Sequence, residues 1–264
     1  MNRVKASAAF AAAVALTACL SCFSAQAAAQ PGQKSQPAQP QGDKRPPKKK
    51  LQAGSNFARY AGRDASNRLI AGGATRDIKD EAERQHQLGT ESYEAGKYEQ
   101  AVAAFRRVAE LKPSNAAAHY NLGVAYEAAG RGDEAVASYQ KAISLTKTKE
   151  LLAVAHYNTG NVHAAAGRTE EAIAAYRKVI ELLPKEAVAH YNLGLAHAAA
   201  GETAEAVAAF REAVRLKPDY AEARYNLGVA YVEGGDRAAA RAEAEELRKL
   251  NRTELAERLE ALSK

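Results

Sequence analysis

One glycine recurs along this chain at a nearly fixed interval. Gly89, Gly123, Gly160, Gly194 and Gly228 are separated by 34, 37, 34 and 34 residues. Seven residues after each stands a second glycine: Gly96, Gly130, Gly167, Gly201 and Gly235. Five further on comes alanine, at Ala101, Ala135, Ala172, Ala206 and Ala240. Four beyond that is an aromatic in the first four copies (Phe105, Tyr139, Tyr176, Phe210), and Pro113, Pro184 and Pro218 close three of them. A period of this length marks a small structural unit copied along the chain. One copy cannot bury its apolar face alone, whereas stacked copies can. Composition says which unit it is. The chain is 47% hydrophobic but only 6% aromatic, with no Trp. Alanine supplies much of the apolar fraction, and it is the best helix former, so the unit is helical.

Each repeated position has a physical reason. The second glycine can take φ > 0, so it ends the first helix of a pair and turns the chain. The first glycine and the alanine lack bulk, which lets the two helices of one repeat approach. The aromatic is expected to fill the space between neighbouring repeats. Proline cannot continue a helix, so it stops the second one. After Asn251, the pair Asn251 and Glu254 reads as a capping box, and Leu255, Leu259 and Leu262 as the apolar stripe of a closing helix.

These residues resemble the tetratricopeptide repeat: small residues at repeat positions 8 and 20, an aromatic at 24, proline at 32. The resemblance covers residues 82–250, about two-thirds of the chain. It implies an all-α fold, an α-solenoid of helix-turn-helix repeats over residues 82–264 with a C-terminal capping helix. Two departures stand out. Thr146-Lys147-Thr148-Lys149 lies in a connection lengthened by three residues, and the fifth repeat has Ala244 for the aromatic and Arg252 for the proline.

In this family the first helix of each pair lines a concave groove, and the first helices here share a motif. Tyr120-Asn121, Tyr157-Asn158, Tyr191-Asn192 and Tyr225-Asn226 recur in phase. The asparagines are similar to the ladder inside the repeats of O-GlcNAc transferase, where such side chains hold a ligand backbone. A carboxamide both donates and accepts, so it can pair with a peptide unit. Tyrosine adds rigid amphipathic contact area. The resemblance thus implies a protein or peptide partner, met by exposed asparagines. Glu83, Glu94, Glu127, Glu222 and Glu233 make the groove neutral to acidic. The Lys/Asn clamp of the chaperone-binding type is missing: the matching positions hold His86, Thr90, Val154 and Asn158, and only Asn121 fits.

No catalytic constellation is visible: no metal-ligand motif, nucleophile elbow or phosphate-cradling loop. No cofactor and no metal are expected. His119, His156 and His190, and likewise His163 and His197, recur at repeat positions that pack between helices. The only cysteines, Cys19 and Cys22, lie near the N-terminus.

The net charge of +6 is not spread evenly. Residues 1–81 hold 13 Lys/Arg against 5 Asp/Glu, which leaves the repeats slightly acidic. No nucleic-acid partner is therefore expected of the folded part. Residues 1–27 read as an export signal: Arg3 and Lys5, an apolar run from Ala6 to Leu20, and the small-x-small site Ala25-Gln26-Ala27. Leu16-Thr17-Ala18-Cys19 also resembles the bacterial lipobox, which implies a lipoprotein signal over 1–18 and lipidation of Cys19. The product is then either periplasmic or secreted, or an outer-membrane lipoprotein. Residues 28–50 are a Pro/Gln/Lys-rich linker whose Lys44–Lys50 cluster suits contact with anionic surfaces. Residues 51–81 carry apolar residues at helical spacing and have no assigned chemistry. Together these features point to an adaptor or scaffold of the bacterial cell envelope. The alternative is an assembly factor for an envelope machine such as a pilus or the outer membrane.

Overall fold

The computed structural model describes residues 74–264, where eleven helices and no strand are found. The signal at 1–27 with Cys19, the linker at 28–50 with Lys44–Lys50, and residues 51–73 lie outside the described residues. Helix α1 (Ala74–Glu94) pairs with α2 (Tyr98–Leu111), α3 (Ala116–Ala128) with α4 (Gly132–Leu145), and α5 (Lys149–Ala165) with α6 (Thr169–Leu182). Then α7 (Ala187–Ala199) pairs with α8 (Thr203–Leu216) and α9 (Ala221–Glu233) with α10 (Arg237–Lys249), before α11 (Thr253–Leu262) closes the array. Each helix packs on the next in chain order. This is the expected all-α solenoid with a capping helix. Helix α1 starts at Ala74, ahead of residue 82, so the boundary drawn from the repeat falls inside a helix. No described helix is long and apolar enough to cross a membrane.

The turn inside each pair is set by the second glycine. At Gly130 φ is +74°, and the other four lie between +72° and +85°. The Arg131 amide then donates to the Tyr126 carbonyl at 2.8 Å, closing the helix end. The first glycine has a different task. A Cβ on Gly123 would stand 2.6 Å from the Tyr139 ring, and one on Gly194 equally close to Phe210. Gly89 meets Phe105 and Gly160 meets Tyr176 in the same way. The aromatic was expected between neighbouring repeats. Its ring instead sinks first into a notch on the partner helix of its own repeat, because only glycine leaves that volume free. It then joins the apolar side chains of the following pair, as Phe105 does with Leu122 and Ala125. Burying such a ring contributes roughly 1.5–3 kcal/mol, more than any alanine around it, so these rings anchor the pairs.

The fifth repeat solves the same problem differently. With alanine at Ala244, the notch at Gly228 is filled by Leu259 of α11. Ala244, Ala256 and Leu259 are all fully buried. Of the expected stripe, Leu255 is partly buried and Leu262 is 49% exposed, so Ala256 takes the place given to Leu262. The capping box is also corrected. Asn251 has φ +59° and ends α10 as the glycines end the other helices, while α11 begins after Arg252 with no side-chain cap. Asparagine tolerates this left-handed conformation better than most residues.

The lengthened connection becomes helix. Helix α5 has 17 residues where α3, α7 and α9 have 13, so the inserted residues add a turn at its start. The pairing on either side of it continues unbroken.

Candidate functional site: the tyrosine–asparagine lining

The first helices of successive pairs are joined through their tyrosines and asparagines. Asn158 Nδ2 donates to Tyr120 Oη at 3.0 Å, Asn192 to Tyr157 at 2.9 Å and Asn226 to Tyr191 at 3.0 Å. The row begins with Asn121 Nδ2 at 3.2 Å from His86 Nε2, where histidine stands in the tyrosine position. It ends at Tyr225, whose ring carries the Arg258 guanidinium of α11 at 5.5 Å. The eight predicted residues therefore form one continuous ladder along α3, α5, α7 and α9.

Their exposure differs from the expectation. Asn121 and Asn226 are only 3% and 5% exposed, and Asn158 and Asn192 are half-buried. Each spends its N–H groups on the preceding repeat, so the ladder is structural first. In Asn158 and Asn192 the amide oxygen takes no partner among the described residues and is not buried. Burial pushes the tyrosine hydroxyls up, Tyr191 to about 12 and Tyr120 higher, so they remain neutral donors.

A second set of polar groups sits beside the ladder, and of these the sequence pointed only to Glu127. Tyr139 Oη donates to Glu127 Oε2 at 2.6 Å, and Tyr176 Oη to Asn161 Oδ1 at 2.8 Å. Asn158 Nδ2 also lies 3.4 Å from Tyr139 Oη. The signal was available. The aromatic is Phe at Phe105 and Phe210 but Tyr in the two middle repeats, and a buried hydroxyl needs a partner. Burial raises the Glu127 carboxyl above its ordinary value, and the Tyr139 hydrogen bond partly offsets this. Of the other acidic candidates, Glu83 lies 3.9 Å from Lys79 and is exposed, as are Glu94, Glu222 and Glu233.

Two of the recurring histidines tie repeats together. His119 Nε2 meets the Pro113 carbonyl at 2.9 Å and His190 Nε2 the Pro184 carbonyl at 3.0 Å, tying a helix to the end of the previous repeat. Arg224 Nε donates to Pro218 in the same way. No three potential metal ligands come together among the described residues.

Known proteins agree with this architecture. The family described as Tetratricopeptide repeat matches residues 86–149 and 222–252, and the one described as TPR repeat matches 160–201 and 198–235. No curated protein matches the sequence. Among solved structures, MamA is 26% identical with a TM-score of 0.60, over 65% of this chain and 92% of that one. MamA of Desulfovibrio magneticus RS-1 is 23% identical with a TM-score of 0.60, over 66% and 97%. YrrB, described as a TPR protein with an unusual peptide-binding site, is 23% identical with a TM-score of 0.58, over 71% and 96%.

Proposed function

Since the chain belongs to the tetratricopeptide-repeat family, we propose that it is a non-catalytic adaptor that captures a protein partner along the first-helix lining. The observation that carries this reading is the row of half-used amides. Asn158 and Asn192 are held by their N–H groups and present a fixed oxygen to solvent. Such an oxygen accepts from a peptide N–H, as the ladder of O-GlcNAc transferase does by resemblance. An extended segment offers free N–H groups, whereas a helix has spent most of its own, so extended peptide suits the row better than a partner helix. A photo-crosslinking residue at Ala164 or Ala198, beside the ladder, should capture partner peptide from bacterial envelope extract. The same residue at Ala137 or Ala174 on the second helices should not. Adducts formed only at Ala137 and Ala174 would move the site to the opposite face.

We place this adaptor in the cell envelope. Arg3 and Lys5, the apolar run and Ala25-Gln26-Ala27 support export, and Lys44–Lys50 would contact anionic surfaces. Leu16-Thr17-Ala18-Cys19 favours the second reading, a lipid-anchored assembly factor for a pilus or the outer membrane. Radiolabelled fatty acid should enter the wild type and not Cys19→Ser. Its absence from the wild type would leave cleavage after Ala27 and a soluble periplasmic or secreted product.

A further inference from the structure

Between the second and third repeats a cleft of about 480 Å³ opens beside the ladder. Glu127, Asp133, Asn161 and Arg168 supply its polar side chains, and Gly130, Ala165 and Ala166 form a small, apolar part of its wall. Arg168 at the cleft donates through Nη1 to the exposed Asp133 at 2.7 Å, while its Nε is buried without a partner among the described residues. We propose that this cleft is a specificity pocket for a lysine or arginine side chain of the bound peptide. The aliphatic stem would lie along Gly130, Ala165 and Ala166, and the cationic head would meet Glu127. This inference rests on the peptide-capture reading above and adds to it the chemistry of one peptide position.

Three observations converge on it. First, Glu127 is a half-buried carboxylate whose one hydrogen bond comes from Tyr139, through Oε2 at 2.6 Å. No described Lys, Arg or His pairs with it. A carboxylate withdrawn from water without a cation is costly, and a cation arriving from outside removes that cost. Burial raises its titration, and the Tyr139 hydrogen bond offsets this only in part. Second, the carboxylate is held in place. Asn158 lies 3.4 Å behind Tyr139 Oη, Tyr139 fixes Oε2, and Oε1 is left for a newcomer. A pre-set acceptor spends no entropy on ordering when its ligand arrives. Third, the arrangement occurs once. The positions equivalent to Glu127 hold Tyr93, Ala164, Ala198 and Val232. Long basic side chains bury their stems on apolar walls while the head stays polar, which matches this cleft. An apolar side chain would bury Glu127 further and leave it unpaired.

The test is to pan random displayed peptides against the full chain and against two variants. Glu127→Gln removes the charge and keeps an acceptor for Tyr139. Ala165→Leu fills the wall at an exposed position and leaves the charge. Wild-type binders should carry Lys or Arg at one fixed register, and both variants should lose that preference while still yielding binders. In the strongest wild-type binder, norleucine in place of the basic residue should weaken binding about tenfold on the wild type, as loss of a charge-assisted contact does, and hardly at all on Glu127→Gln. Unchanged helicity by circular dichroism excludes unfolding as the cause. Wild-type binders without a basic preference, or Glu127→Gln binders that keep it, overturn the pocket. Binders indifferent to Asn158→Ala and Asn192→Ala, or no binders at all, overturn the peptide-capture reading with it.

Discussion

Asn226 shows what the ladder does at the level of one residue. It is 5% exposed and donates to Tyr191 across a repeat boundary. Asn226→Ala should therefore destabilise the fold by about 0.5–1.5 kcal/mol, and by more if the tyrosine hydroxyl finds no other partner. Chemical denaturation checks this; a change within about 0.5 kcal/mol would mean the contact is ordinary surface. The row itself was legible in the sequence, because its residues recur in phase. Its use was not, since the period does not say that position 5 of one first helix faces position 6 of the next. Glu127 gives the opposite sign. Its carboxyl is raised by burial above the ordinary 4.5, so the folded state disfavours the ionised form. That penalty is absent below the ordinary value and fully present once pH exceeds the folded one. Glu127→Gln should thus be more stable than the wild type near pH 7, with the gain shrinking as pH falls toward the ordinary glutamate range. Urea midpoints at the two ends of that range decide it, and a gain that persists in acid would assign the effect to something other than ionisation.

At the level of the helix, the shared device is a side chain seated in a glycine notch. In four repeats it comes from the second helix, and in the fifth Leu259 of α11 supplies it. Leu259→Ala should leave a cavity and cost about 2–5 kcal/mol. Ala244→Phe, which restores the aromatic of the other repeats, should recover part of that loss in the Leu259→Ala background and destabilise the wild type by overpacking. A double-mutant cycle reads this coupling, and simple additivity would mean the two side chains do not share the Gly228 notch. The two glycines of a repeat should also fail differently. Gly123→Ala drives a methyl into the Tyr139 ring, whereas Gly130→Ala meets open space and suffers only its φ of +74°. The five pairs and the closing helix were readable because glycine, alanine and proline each permit few alternatives. The extra turn of α5 and the start of α1 at Ala74 were not. A spacing counts residues without saying whether added ones coil or loop, and a polar first turn carries no periodic mark.

Across the whole molecule, coupling runs mainly between neighbouring pairs, so a local penalty need not spread evenly. Burial lowers the titration of His86, His156 and His163, and Lys112, Lys178 and Arg168 respectively add to it. All three fold best in the neutral form. Their contribution is therefore present above the ordinary histidine value of 6.5 and is lost as pH falls through the lower folded values. Glu127 and Glu233 shift upward from 4.5 and act with the opposite sign as pH falls through their raised values. With three histidines set against two glutamates, the net expectation on acidification from neutral pH is a loss of stability. The loss should also have an address. His86 is on α1, where its Nε2 faces Asn121, and His156 and His163 are on α5, where His163 Nδ1 is buried without a partner. Amide hydrogen exchange in α1 and α5 should accelerate on acidification before that in α9 and α10, which hold no histidine. Replacing His86 with tyrosine, the residue found in the other repeats, should keep a partner for Asn121 and remove the acid sensitivity of α1 alone. Uniform acceleration along the array would mean that the repeats open together and that the penalty is not local.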